Sequence, residues 1–298
     1  MINKLLIVGC GLIGSSILKK VCKNKIAKKI LVFEKSKSNQ RTLKRFKLKF
    51  ELIKRMDKKI SECDFIVICA PLNQYEKIFL SCNKYLKKKA LVTDVGSAKK
   101  SAIVKVNKIK RKDISWISSH PIAGSEVSGP LNGRENLFVN KWSVIIKQKN
   151  SSNRDMKKIL KFWKLLGSKP VIMNAEQHDK IFAITSHLPH LIAYNLILTA
   201  TNFKISNKNN ILRFSAGGLR DFSRIAASNE IMWRDIFLNN KTNMLKVIDL
   251  FVKNLKTFKQ DIKSNRRSLE TKLKNLKKVR QKIVLLKQDT SKPDFGRI

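Results

Sequence analysis

The chain has 298 residues, enough for two domains each with its own core, and 43% of them are hydrophobic, as expected of a globular protein. No uninterrupted apolar run approaches the roughly 20 residues of a membrane span, and the N-terminus lacks the apolar core and cleavage site of a signal peptide, so a cytoplasmic chain is expected. The formal net charge of +43 is spread along the whole sequence without a nucleic-acid-binding motif, which argues against a nucleic-acid partner and for steering of small anions. Cys10, Cys22, Cys63, Cys69 and Cys82 are odd in number and lack CxxC spacing, which reads as buried or incidental thiols in a reducing compartment.

Through about residue 173, short apolar runs alternate with amphipathic stretches, the pattern of βαβ units around a parallel sheet. Strands are expected at Leu5–Gly9, Ile30–Glu34, Phe65–Ala70, Ala90–Asp94, Ser115–Ser118, Trp142–Ile146 and Pro170–Met173. Helices are expected at Ile13–Cys22, Gln74–Tyr85 and Lys99–Ile109, and from Ser152 to a stop at Gly167. Beyond Asn174 the strand signals cease, and Ala175–Thr201, Ile211–Leu219, Ile231–Asn240 and Thr242–Asn265 read as helices. In the last stretch, 266–287, Leu269, Leu273, Leu276, Val279, Ile283 and Leu286 form one apolar stripe at three- and four-residue steps. Either the helical domain or a partner subunit covers it. From Gln288 the chain is polar, and frayed ends are expected.

Gly9-Cys10-Gly11-Leu12-Ile13-Gly14 fits G-x-G-x-x-G between a predicted strand and a predicted helix. The first glycine permits the tight turn, the second lets the backbone approach a pyrophosphate, and the third allows close helix–sheet packing at an anion-attracting helix N-terminus. The expected architecture is therefore α/β, with a Rossmann-like dinucleotide-binding domain over 1–173 followed by an all-helical domain over 174–298. Glu34 ends the second strand twenty residues after Gly14, where a carboxylate bonds ribose hydroxyls and repels a 2′-phosphate, so NAD is favoured. Lys35 and Lys37 can accept a phosphate, which keeps NADP open.

Ligands of such sheets bind at the carboxyl ends of the strands. Asp94 and Ser97 leave the fourth strand there, with Ser97 expected as a helix N-cap. His120 follows the next strand, between a stiffening Pro121 and a Gly124 that lets backbone approach a flat ring. A neutral imidazole suits removal of a hydroxyl proton during hydride transfer, a role worth about 10²–10⁴ in rate. In Ser186-His187-Leu188-Pro189-His190, Pro189 cannot donate to the Thr185 carbonyl, so the helix is broken or kinked there, with Ser186 and His190 on one face. No cysteine or acidic residue stands at ligand spacing, so no metal is expected. Gly217-Gly218 reads as a flexible turn presenting Arg220 and Arg224, and a guanidinium matches a carboxylate bidentately. Asp221 can pair with Arg224 when the site is empty. Trp233 reads as core packing.

In order, GCGLIGSS, TDVGSAK, SHPIAGSEVSG, SHLPH, RDFSRIA and IMWRDI resemble the TyrA family of prephenate and arogenate (cyclohexadienyl) dehydrogenases, from about Ile2 to Leu250. The resemblance implies oxidative decarboxylation of prephenate to 4-hydroxyphenylpyruvate, or of arogenate to tyrosine, by a homodimer joined through its helical half. It implies His120 as the base on the ring hydroxyl with Ser97 orienting the pair, and Arg224 on a substrate carboxylate. Ser186, His190 and Trp233 would line the remaining pocket, and Glu126 and Asp221 would form a polar network around Arg224. Cofactor contacts are expected at Gly9, Gly11, Leu12, Ile13, Gly14, Glu34, Ala70, Pro71, Asp94 and Gly124. The early fingerprint and short tail lead to the expectation of a monofunctional enzyme, any tyrosine inhibition being competitive. A β-hydroxyacid dehydrogenase shares the plan but needs a lysine where this helix has Ser186 and His190. A basic Rossmann-like binding protein without catalysis is the alternative of another class.

Overall fold

Leu5, Leu6 and Ile7 are all fully buried, so strand β1 (Ile2–Val8) is covered on both faces, as the continuous apolar runs of parallel sheets require. The computed structural model describes residues 2–149, 151–203, 212–264 and 268–286. β1 is joined by β2 (Ala27–Phe33), β3 (Glu51–Ile53), β4 (Phe65–Ile68), β5 (Leu91–Asp94) and β6 (Ser115–Trp116). All pairings are parallel and the order is β3-β2-β1-β4-β5-β6. That order reverses between β1 and β4, the switch point at which a crevice opens beyond the strand ends. One core, with Ile17, Leu18 and Trp163, lies under α1 (Leu12–Lys23) and α5 (Asn153–Leu165). The opposite core, with Phe79, Val106 and Trp116, lies under α3 (Tyr75–Cys82) and α4 (Lys100–Ile109).

The expected strands and helices of this half are present, with ends shifted by up to three residues. Two elements escaped the sequence reading. β3 has only three residues at the sheet edge, and α2 (Lys37–Lys44) is polar enough that Leu43 is its one buried side chain. A third departure bears on chemistry. His120 follows β6 as expected but itself sits inside a further strand, β7 (Ser119–Pro121), which opens a second sheet with β8 (Trp142–Ile146) and β9 (Lys169–Met173). β7 runs antiparallel to β8, pairing His120 with Val144, and β8 runs parallel to β9. Three residues ending in proline are too few to show a period in sequence.

From Ala175 onward the described residues contain no strand. The expected single helix Ala175–Thr201 is α6 (Ala175–Phe182), a π segment (Ala183–His187) and α7 (Leu188–Asn202). The wider turn just ahead of Pro189 absorbs its missing N–H, so the chain bulges and continues instead of breaking. Ala175–Asn202 is long and apolar enough to cross a membrane by length and composition, yet it carries the buried polar pair His178 and Asp179.

The expected helix Ile211–Leu219 is corrected. α8 spans Gly217–Ala226, so the two glycines are its first turn, not a flexible loop; Ile211 lies outside the described residues. α9 (Glu230–Asn239), α10 (Lys241–Lys263) and α11 (Ser268–Leu285) complete the described chain, while Asn265 and the tail from Gln288 lie outside it. Leu273, Leu276 and Val279 of the C-terminal stripe are each at least half exposed, so the described residues of its own domain cover the stripe only in part.

Candidate active site

The chain leaves β1 at Gly9 with φ +86°, and a Cβ there would lie 2.8 Å from the Cys69 carbonyl oxygen at the end of β4. At Gly14 a Cβ would stand 2.2 Å from the Gly9 carbonyl oxygen, so α1 can start this close to the sheet only with glycine. Gly11 faces open space. α1 has neither a side-chain cap nor an acidic residue in its first turn, leaving its N–H groups to an anion. This cradle fits the pyrophosphate of a dinucleotide. Leu12 and Ile13 are half-buried on the first turn, and Ala70 and Pro71 leave β4 on the other side of the same mouth. Glu34 stands beside the loop at the end of β2, where its carboxylate accepts the N–H groups of Cys10 (2.7 Å) and Ser36 (2.8 Å). Gly124 is exposed with open space around it.

Asp94 is corrected from a cofactor contact to an internal support. It is fully buried and accepts from Lys99 Nζ (2.8 Å), Tyr75 Oη (2.9 Å), Gly96 N (3.0 Å) and Ser119 N (3.2 Å). Lys99 is equally buried and also donates to Ser118 Oγ and the Ser119 carbonyl, so the ion pair ties β5 to the strand carrying His120. Burial pushes the Lys99 ammonium down, opposed by Asp94 and then Asp179. Ser97 is half-buried at the mouth but is not the N-cap of α4. Lys99 occupies that position, and Asp179 of α6 caps the helix from outside by accepting from Lys99 N and Lys100 N, each at 2.9 Å.

All four histidines of the chain gather here. His120 Nδ1 lies 2.8 Å from His178 Nε2, and His178 Nδ1 lies 2.8 Å from Asp179 Oδ1. Phe182 packs edge-on against the His120 ring at 4.9 Å. His120 Nε2 has no partner among the described residues and is not sealed from the crevice. Burial, then His178, Lys99 and His187, hold the His120 imidazole well below the usual histidine range, so it is neutral near pH 7. His178 is lowered too, chiefly by burial, with Asp179 opposing. For Asp179, burial pushes upward, but the hydrogen bonds from His178, Lys100 and Lys99 outweigh it and the carboxyl stays ionised. His187 Nδ1 faces Asn240 Nδ2 at 3.2 Å, and the same amide donates to the Asp179 carbonyl.

The helical domain supplies the rest. His190 Nδ1 donates to the Ser186 carbonyl at 2.9 Å, and its ring stacks on buried Trp233 at 3.6 Å. Trp233 is thus both packed and a wall for His190. Arg224 Nη1 lies 3.4 Å from Glu126 and Nη2 lies 3.8 Å from Asp221, long contacts on a guanidinium that is 42% exposed. Since Glu126 is in the loop after β7, this contact brings the arginine across to the His120 strand. Sequence reasoning missed Lys99, His178, Asp179 and Asn240. Only the adjacent His178-Asp179 at a helix start carried a local signal. A cavity of about 1260 Å³ lies at the amino ends of the strands, among Lys87, Lys110 and Arg154, and touches none of these residues.

A glycine cradle at the switch point, facing a neutral histidine and an arginine from a helical domain, defines a nicotinamide-dinucleotide-dependent dehydrogenase. Residues 17–172 match the family description "Prephenate dehydrogenase, nucleotide-binding domain" and 174–278 match "Prephenate dehydrogenase, dimerization domain". Over 258 residues the chain is 31% identical to a cyclohexadienyl dehydrogenase of Zymomonas mobilis, covering 87% of this chain and 88% of the relative. It is 30% identical to a prephenate dehydrogenase of Lactococcus lactis over 94% of this chain and 77% of that one. The structure of prephenate dehydrogenase from Aquifex aeolicus, in complex with hydroxyphenyl propionate and NAD+, superposes with a TM-score of 0.86 at 30% identity, over 95% of this chain and 99% of that one. The chain belongs to the prephenate dehydrogenase family.

Proposed function

We propose that the chain is a prephenate dehydrogenase that carries out the NAD-dependent oxidative decarboxylation of prephenate to 4-hydroxyphenylpyruvate and carbon dioxide. The observation that carries this reading is the buried, neutral His120 held by His178 on Nδ1, with its Nε2 left without a partner among the described residues. NAD, when bound in that cradle, supplies the hydride acceptor. His120 Nε2 takes the proton of the ring hydroxyl as the carbon beneath it is oxidised. Arg224 exchanges its long contacts with Glu126 and Asp221 for a substrate carboxylate, and Ser97, Ser186, His190 and Trp233 line the remaining space. Loss of the ring carboxylate then yields an aromatic ring, so the chain's own task is positioning, a base and carboxylate binding.

One contact supports arogenate as a second substrate. The Ser186 carbonyl can only accept, so neutral His190 carries its proton on Nδ1 and keeps a lone pair on Nε2. That lone pair suits an ammonium better than a keto oxygen. Exposed apolar residues such as Leu198, Leu273 and Leu276 lie in the region matching the dimerization domain and fit burial against a second copy, as in a cytoplasmic homodimer.

The experiment compares kcat/KM for prephenate and arogenate, each with NAD and NADP, in the wild type and in His120→Asn. The variant should bind NAD normally and lose about 10²–10⁴ in turnover. Full turnover in His120→Asn, or none in the wild type, would leave a dinucleotide-binding protein without this catalysis.

A further inference from the structure

His120 can act as a base only if its lone pair is on Nε2, and nothing in its own strand ensures that. Neutral imidazole carries one proton on either nitrogen. The structure decides between them through a chain of partners that crosses from one domain to the other. Asp179 is ionised and can only accept, so His178 Nδ1 must donate to it. Neutral His178 then has its lone pair on Nε2, so the 2.8 Å contact to His120 Nδ1 forms only if His120 is the donor. His120 Nε2 is thereby the unprotonated nitrogen.

We propose that His178 and Asp179 are positioning residues for the reaction: they lock His120 into the tautomer whose Nε2 faces the substrate, and they place a carboxylate behind the imidazolium formed as the proton arrives. This rests on the function proposed above. The lock is rigidly built. His178 and Asp179 are buried, Asp179 is pinned by the N–H groups at the start of α4 and through its carbonyl by Asn240, and Phe182 packs on both imidazole rings. A residue that merely filled space beside His120 would need neither an acceptor nitrogen nor a carboxylate behind it.

Two variants and one spectrum test the lock. His178→Gln can present an amide oxygen to His120 Nδ1–H, whereas His178→Leu has no acceptor. The expected result is a fall in kcat of about 10² or more in His178→Leu, with KM for NAD and substrate within about threefold, and recovery of most of that loss in His178→Gln. Nitrogen–proton correlation spectra of the imidazole-labelled free protein near pH 7 should show His120 protonated on Nδ1 in the wild type and in His178→Gln. A wild-type spectrum with the proton on Nε2, or full kcat in a folded His178→Leu, overturns the proposal. Because the spectrum needs no substrate, a wild type that turns over neither prephenate nor arogenate would sink the function while the tautomer still decides the lock. If His178→Leu does not fold, the spectrum and His178→Gln still decide.

Discussion

Acid should unfold this protein through its histidines, and His187 allows the size of the effect to be worked out. It is fully buried, Asn240 donates to its Nδ1, and its sealed Nε2 has no well-formed hydrogen bond, only the Ser97 backbone nearby. Burial first, and then His178, push its pKa from the ordinary 6.5 down to about 4. A group lowered by folding contributes stability that is complete above its unfolded pKa and is lost as pH falls through the folded one. At about 1.36 kcal/mol per pKa unit, the full contribution is about 3 kcal/mol, of which about 2 kcal/mol disappears between pH 7 and pH 5. His187→Gln removes the titration while keeping a group that can accept from Asn240. Urea unfolding of both proteins at several pH values, followed by circular dichroism, separates the effect of His187 from that of the other titrating groups. The variant should be less stable at pH 7, and its deficit should shrink by about 2 kcal/mol by pH 5. A deficit that stays constant across this range, or grows, would refute the reasoning.

Arg224→Gln should raise KM for prephenate roughly 10- to 100-fold, the value of about 1.5–3 kcal/mol for charge-assisted hydrogen bonds, while leaving the Kd for NAD unchanged; an unchanged KM in steady-state assays would remove Arg224 from the substrate site. Gly14→Ala places a Cβ 2.2 Å from the Gly9 carbonyl oxygen, so α1 must move off the sheet. NAD titration should show at least about tenfold weaker binding, given about 1–3 kcal/mol for overpacking, and wild-type affinity would contradict the cradle. Lys99→Met leaves Asp94 buried and unpaired, and denaturant melts should show a loss of about 3–5 kcal/mol. A loss under about 1 kcal/mol would mean that the pair does not hold β5 to the His120 strand.

The local signals in this chain were those whose cause is local. The alternation of apolar runs up to Met173, the glycine loop and the end of strand signals at Asn174 each depend on a few neighbouring residues, and the structure has them in place. Ser97 failed as a cap because the start of α4 is satisfied by Asp179, 80 residues away. Gly217-Gly218 failed as a loop because glycine only permits a turn, and packing of α8 against α7 (Leu188–Asn202) made it helix. β7 was unreadable at three residues, since its partner β8 gives it its existence.

The site divides in the same way. By itself the sequence determined the nucleotide fold and the position of its glycine loop, and it singled out His120 and Arg224 as the candidates for base and carboxylate binding. Only the tertiary structure decided how His120 is held. It put His178 58 residues away against Nδ1, buried Lys99 with Asp94, and turned Asp94 from a candidate cofactor contact into a support. The reason is physical. Which nitrogen of an imidazole carries the proton, and whether it is charged at all, depends on burial and on partners from other elements, and neither is encoded in the spacing of residues along the chain.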